Sequence, residues 1–165
     1  MKTAFSCFTI VLFRGFFGGS TVANMDARNN PSVAVLEAAH PAKIRVLLAN
    51  SSKEPLKVWK ESNSWGAARW RALLLRNGKL RTFFQNPDQD FTVNLPAFVE
   101  IAAGSHLEQN LDLNDGSWRS SKGEKEQVTL VPGDTLVLIY DVPFTQECLK
   151  LGVWYGVVAG SIVVK

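Results

Sequence analysis

The sequence predicts an all-β chain: a sandwich or barrel of roughly nine antiparallel strands. Three observations carry that expectation. From Ser32 onward, short apolar runs alternate with turn residues at roughly ten-residue spacing, the rhythm of a domain built from many short strands. Asn77-Gly78 stands between two apolar runs, the strongest short-range hairpin signal, because both residues readily take φ > 0 in a type I′ turn. No long helical pattern and no internal repeat competes with these. At 165 residues with 46% hydrophobic and 20% charged side chains, the chain is sized for one domain whose core needs neither disulfide nor metal.

The first 23 residues are expected to be an export signal rather than part of the fold. Lys2 precedes an apolar run from Ala4 to Phe13, and small residues follow in "GGSTVA". That order of basic, apolar and small segments is the secretory pattern, with Thr21 and Ala23 suited to cleavage after Ala23. Arg14 ends the apolar run far short of the roughly 20 residues that a spanning helix needs. Residues 24–31 read as a polar linker and residues 32–165 as the domain. Loss of Lys2 and Arg14 takes the formal charge from +3 to +1, so the basic pI partly reports the signal itself. Cleavage also removes Cys7, leaving Cys148 with no internal partner for a disulfide. The expected address is secreted, periplasmic or otherwise extracytoplasmic.

Within the domain, "SVAVLE" reads as a first strand. "KIRVLLAN" follows, with Ile44, Val46 and Leu48 at the period-two spacing of a half-buried strand. After the "SSKEP" turn, "LKVW" sets Leu56 and Val58 on one face and Lys57 and Trp59 on the other. The stretch "NSWGAARWRALLLRNGKLRTFF" is rich in helix formers, yet Asn77-Gly78 and the aromatic "KLRTFF" argue for a loop followed by a hairpin. A two-residue loop opposes Arg76 to Lys79, Leu74 to Arg81 and Ala72 to Phe83. One face then carries Trp70, Ala72, Leu74 and Phe83. The other carries Leu73, Leu75 and Leu80 with Arg69 and Arg71, so neither face is cleanly polar.

In "DFTVNLPAFVEIAAGSHLEQNLDL", Val99 and Ile101 alternate and Gly104-Ser105 turns the chain. Gln109 interrupts the phase between Leu107 and Leu111, where a bulge or exposed turn is expected. "NDGSW" reads as a turn and "SSKGEKEQ" as a charged loop. "VTLVPGDTLVLIYDV" gives two strands about a Pro-Gly turn. Gly156 and Gly160 predict a bulge or bend between two short strands in the C-terminal run.

"RVLLANSSKEPLKVW", and "LVPGDTLVLIYDV" followed by "GVWYGVVAGSIVVK", resemble strands of bacterial exported immunoglobulin-like β-sandwiches. In those, a W-x-G-x-V-x-S pattern closes the second sheet. Here Trp154, Gly156 and Val158 follow it, with Gly160 at the serine position and Ser161 one place beyond. The resemblance covers most of Ala42 to Lys165. It implies an immunoglobulin-like antiparallel sandwich serving as a binding, inhibitor or cell-surface module, and it carries no catalytic residues across. The inter-sheet disulfide of immunoglobulin domains is missing.

Candidate chemistry is sparse. His40 and His106 lie in connections, with no H-x-x-x-H or C-x-x-C spacing to pair them. Asp112, Asn114 and Asp115 have the composition of a calcium loop, but Gly116 falls at position five and Gly123 at position twelve, so the spacing fails. No metal or other cofactor is expected. Asn50-Ser51-Ser52 fits a glycosylation acceptor on a turn. From Lys43 to Arg81 there are ten basic and two acidic residues, and from Thr82 to Trp118 six acidic and no basic ones. The asymmetry marks either a polyanion-binding face or neighbouring strands that pair by charge. A mature charge near +1 excludes nucleic acid as the expected partner.

Trp65, between Ser64 and Gly66 in the turn before the hairpin, is the candidate anchor for a partner, with Arg69 and Arg71 beside it. Its alternative role is as a lid on the core. Trp70 and Trp154 are expected in the core; Trp59 and Trp118 are undecided. The expected function is a noncatalytic module binding a protein or cell-envelope partner through its loops. Carbohydrate or polyanion binding is the alternative, and a small hydrolase a third.

Overall fold

A computed structural model describes residues 30–39, 41–86 and 95–165. The export signal, linker residues 24–29, His40, Asp88, Asp90 and the "FTVN" run lie outside them. The elements in chain order are β1 (Ser32–Ala39), β2 (Lys43–Ala49), β3 (Leu56–Trp59), β4 (Trp70–Arg76), β5 (Lys79–Gln85), β6 (Phe98–Ile101), β7 (His106–Asp112), β8 (Trp118–Ser120), β9 (Thr135–Val142), α1 (Gln146–Leu151) and β10 (Gly156–Val163). The described chain is all-β apart from one short helix. One sheet runs β1-β2-β7, a second β10-β9-β4-β5-β8, and a two-stranded ribbon joins β3 to β6. All these strand pairs are antiparallel.

The hairpin forms as its turn residues dictate. Asn77 (φ 50°) and Gly78 (φ 72°) both take the left-handed conformation, and the register sets Arg76 against Lys79, Leu74 against Arg81 and Ala72 against Phe83. β4 is then hydrogen-bonded on both sides, to β5 and to β9. Its even positions Trp70, Ala72 and Leu74 are buried. They meet Ile44, Val46 and Leu48 of β2 in one core that also takes Leu136, Leu138 and Tyr140 from β9. β1 spans the gap at one margin. A bulge between Val35 and Glu37 shifts its pairing with β2, and it also lies along β10. Gly160 permits that approach, because a Cβ there would strike the Val33 carbonyl.

Several expectations are corrected. β10 is a single regular strand, paired with β9 from Gly156 to Val163 without a bulge. Gly160 therefore answers to a neighbouring backbone and not to a bend. β7 is likewise unbroken, and Val46 opposes Gln109 in register. The amide of Gln109 points inward because the Trp70 indole N–H donates to its Oε1 (2.9 Å). Val128–Leu130 is not a strand. It is chain outside any strand, pinned by Asn114, whose side chain accepts from the Val128 amide and donates to its carbonyl, both at 2.8 Å. The helix α1 is an addition to the expected strands. Thr145 caps it by accepting from the Cys148 amide, and Gly152 (φ 67°) ends it.

At the closed end of β4, Arg76 clamps Asp134, which is 1% exposed. Arg76 Nε and Nη2 donate to the two carboxylate oxygens at 2.7 and 2.6 Å, and the Val131 amide donates to Oδ2 at 2.9 Å. These bonds, that from Arg76 foremost, hold the carboxyl below its ordinary value of 3.8. A depressed carboxylate pKa contributes stability above the unfolded value and loses it as pH falls through the folded one. Acid titration of unfolding should therefore show stability declining below pH 3.8. In Asp134→Asn that decline should flatten, with stability at neutral pH lower by about 1–3 kcal/mol. An unchanged acid slope would remove the clamp from the account.

Candidate functional site

The loop from Lys60 to Arg69 is held by its own polar groups. Asn63 is buried, donates from Nδ2 to the Ala97 carbonyl (2.8 Å) and accepts from the Gly66 amide (2.9 Å). Gly66 is required there, since a Cβ would strike the Lys60 carbonyl. Arg69 folds back on the loop, donating from Nε to the Trp65 carbonyl (2.6 Å) and from Nη2 to that of Ser64 (3.2 Å). The guanidinium thus closes the turn. Trp65 is half-buried, with its ring tilted against Trp59 at 5.9 Å between centroids. Its indole also reaches Glu147, whose carboxyl is held low first by its own backbone amide and then by Thr145.

Arg71 is placed apart from that loop contact. It points outward from the five-stranded sheet, makes a 2.5 Å ion pair with Asp141 and lies 5.7 Å from the centre of the Phe84 ring. Trp65 and Arg69 are thus brought together, while Arg71 belongs to a sheet face. Below the loop, Gln109 Nε2 donates to Glu61 Oε1 (2.9 Å), continuing the chain from Trp70 to the surface. Crowding by protein raises the Glu61 pKa, opposed by hydrogen bonds from Trp70 and Gln109.

The other tryptophans lie in the core. Trp59, Trp70, Trp118 and Trp154 are all buried, and Trp70 and Trp154 flank Tyr140 at 4.9 and 6.1 Å. The Asp112 and Asp115 carboxylates accept from the Asn114 and Ser117 amides, which makes their loop a turn. Among the described residues no group of three or more His, Cys, Asp or Glu is disposed to hold a metal. No described helix is long and apolar enough to cross a membrane. Asn50 is 2% exposed, and its Nδ2 donates to the Glu54 and Ile101 carbonyls, so the acceptor nitrogen of the glycosylation pattern is inside the fold. Cys148 is buried and His106 exposed.

The basic strands find acids in three ways. Lys43 opposes Asp112 and Lys57 opposes Glu100 across the ladders. Arg45 lies 3.8 and 3.9 Å from Glu37 and Glu108. Arg71, Arg76 and Arg81 reach past the acidic segment to Asp141, Asp134 and Glu126. A hollow of about 450 Å³ beside β2 is lined by Lys43, Arg45, Glu37 and Asp112, charges of both signs.

One surface has a different character. The outward positions of β4, β5, β9 and β10 fall in cross-strand rows. Phe84, Arg71, Ile139 and Ala159 form one, Thr82, Leu73, Val137 and Ser161 the next, and Leu80, Leu75, Thr135 and Val163 the last. Leu75 is 41% exposed, Leu80 61%, Val157 52% and Val163 56%. Leu73, Leu75 and Leu80 were legible in the sequence as an odd apolar face, and register joins them to β9 and β10. Compared with known proteins, the chain matches no family model, no curated protein and no solved structure.

Removal of the Trp65 ring should uncover Trp59. Trp65→Ala is expected to lower stability in urea by about 1–2 kcal/mol. Arg71→Ala, which breaks an ion pair whose arginine is 48% exposed, should cost no more than about 1 kcal/mol. An unchanged midpoint for Trp65→Ala would free that ring from the core.

Proposed function

We propose that this chain is an exported, noncatalytic, immunoglobulin-like β-sandwich module that binds a protein through the outer face of its five-stranded sheet. The observation that carries the reading is the run of apolar side chains at solvent-facing positions there. Single exposed hydrophobes are ordinary, whereas contiguous patches mark contact surfaces. The strand orders support the immunoglobulin-like assignment. β1-β2-β7 corresponds to strands A, B and E, and β10-β9-β4-β5 to G, F, C and C′. Trp70 then occupies the buried tryptophan position of strand C, packed on Tyr140 where immunoglobulin domains place a disulfide. The export reading draws on Lys2, the apolar run and the small residues up to Ala23.

The loop at Trp65 has less to offer a partner, because Arg69 is spent on the loop and the ring on Trp59. Sugar or polyanion binding has weaker support too, with four tryptophans buried and the arginines of the basic strands facing acids.

A photo-crosslinking residue placed at Leu75 or Val163 in the expressing cell tests the reading. Adducts to protein are expected from both positions and not from Lys122, which lies in the exposed loop after β8. No adduct, or equal yields at Lys122, would overturn it. Mass spectrometry of the same material should find the chain beginning at Asn24.

A further inference from the structure

The sheet face just described has features that select among partners. Across β10-β9-β4-β5 its three rows hold one charged residue, Arg71, which Asp141 of the adjoining row neutralises; Arg119 of β8, beside Phe84 at the margin, is 9% exposed and turned onto the Gly116 and Trp118 carbonyls. A face with net charge repels its own copy; this face has no such barrier. Four strands at ~4.8 Å spacing and eight residues at ~3.3 Å rise give roughly 500 Å² per chain, or about 1,000 Å² for two faces together. That reaches the threshold of about 1,000 Å² for a specific interface. Shape points the same way. A twisted sheet packs best on another sheet of the same twist, at about −30° and ~10 Å separation, and an identical chain supplies that surface.

We infer that the outer face of β10-β9-β4-β5 docks a second copy of this chain in a two-fold dimer. The inference rests on the protein-binding reading above and names the partner. The contact is isologous: each copy presents Leu73, Leu75, Leu80, Val137, Ile139 and Val163 to the other. The inner faces of both sheets remain as described, and the dimer adds a second apolar layer outside them. Being apolar, the association persists when salt is raised.

Sedimentation equilibrium of the full chain as purified from its expressing cell, across micromolar concentrations, tests this. The expected species has twice the chain mass and dissociates on dilution. Leu75→Asp and Leu80→Lys should each raise the dissociation constant roughly a hundredfold, with thermal melting little changed at dilutions where wild type and variants are all single chains, because both side chains face solvent in one copy. A wild-type chain that stays at single mass overturns the inference, as does a dimer that survives both substitutions. The crosslinking adducts separate the two readings. An adduct to a different protein, with a single-mass chain in the centrifuge, sinks the dimer and leaves protein binding standing. Absence of any adduct sinks both.

Discussion

Two left-handed residues, Asn77 and Gly78, decide on which side of the sheet every side chain of β4 and β5 falls. Strand periodicity is two, so a slip of one residue would exchange the faces. Trp70 and Leu74 would face water, and Arg71 would enter the core without Asp141. Much else hangs on this register. It aims Trp70 at Gln109, brings Arg76 to Asp134 and lines Leu73 and Leu75 up with Val137 and Thr135. Because β4 is paired on both sides, an error there would propagate to β9 and from β9 to β10.

Around this sheet, asparagine side chains take the place of backbone partners. Asn50, Asn63 and Asn114 each bond chain segments remote in sequence, to Ile101, Ala97 and Val128 respectively. An amide carries both donors and an acceptor, so it can stand in for a peptide group where no strand is in register. Asn50 and Asn63 are buried, and their hydrogen bonds offset the desolvation. This is why the Lys60–Arg69 loop is held without regular structure, and why Val128 is held without being in a strand.

The same distinction explains what could be read from the sequence. Features set by local chemistry were legible: the hairpin, its register, the alternation in β2, and Trp70 and Trp154 in the core. Features set by a remote neighbour were not. Gln109 broke the phase of β7 in the sequence because its reason, the Trp70 indole, lies 39 positions away. Gly160 suggested a bend because the Val33 backbone beside it leaves no local trace. The short helix α1 went unread because six residues give too little periodicity to be seen, and its caps, Thr145 and Gly152, come from the structure. For the candidate site, residue type singled out Trp65, Arg69 and Arg71. The structure places Arg69 on its own loop, through carbonyls four and five residues back, and only a remote contact sets Arg71 against Asp141. The apolar outer face was half visible, since the leucines of β4 and β5 stood out before β9 and β10 were known to continue them.

That outer face also bears on why the residues are there at all. Valine and isoleucine at solvent-facing positions have an ordinary explanation, because β-branched side chains suit a pleated strand whether or not a partner covers them. Val137, Ile139, Val157 and Val163 alone would therefore carry little. Leu73, Leu75 and Leu80 differ. Leucine is unbranched at Cβ and favours helix, so strand propensity does not select it. Threonine would serve an exposed strand position better, as Thr82 and Thr135 do in the same rows. Leucine at Leu75 and Leu80 exposes apolar surface at a cost in solubility and gains only the modest contact with cross-strand neighbours. Its larger benefit would come when that surface is removed from water, and the core already lies on the opposite side of the sheet. On the reading proposed above, the three leucines turn an unremarkable β-branched face into one that a partner covers.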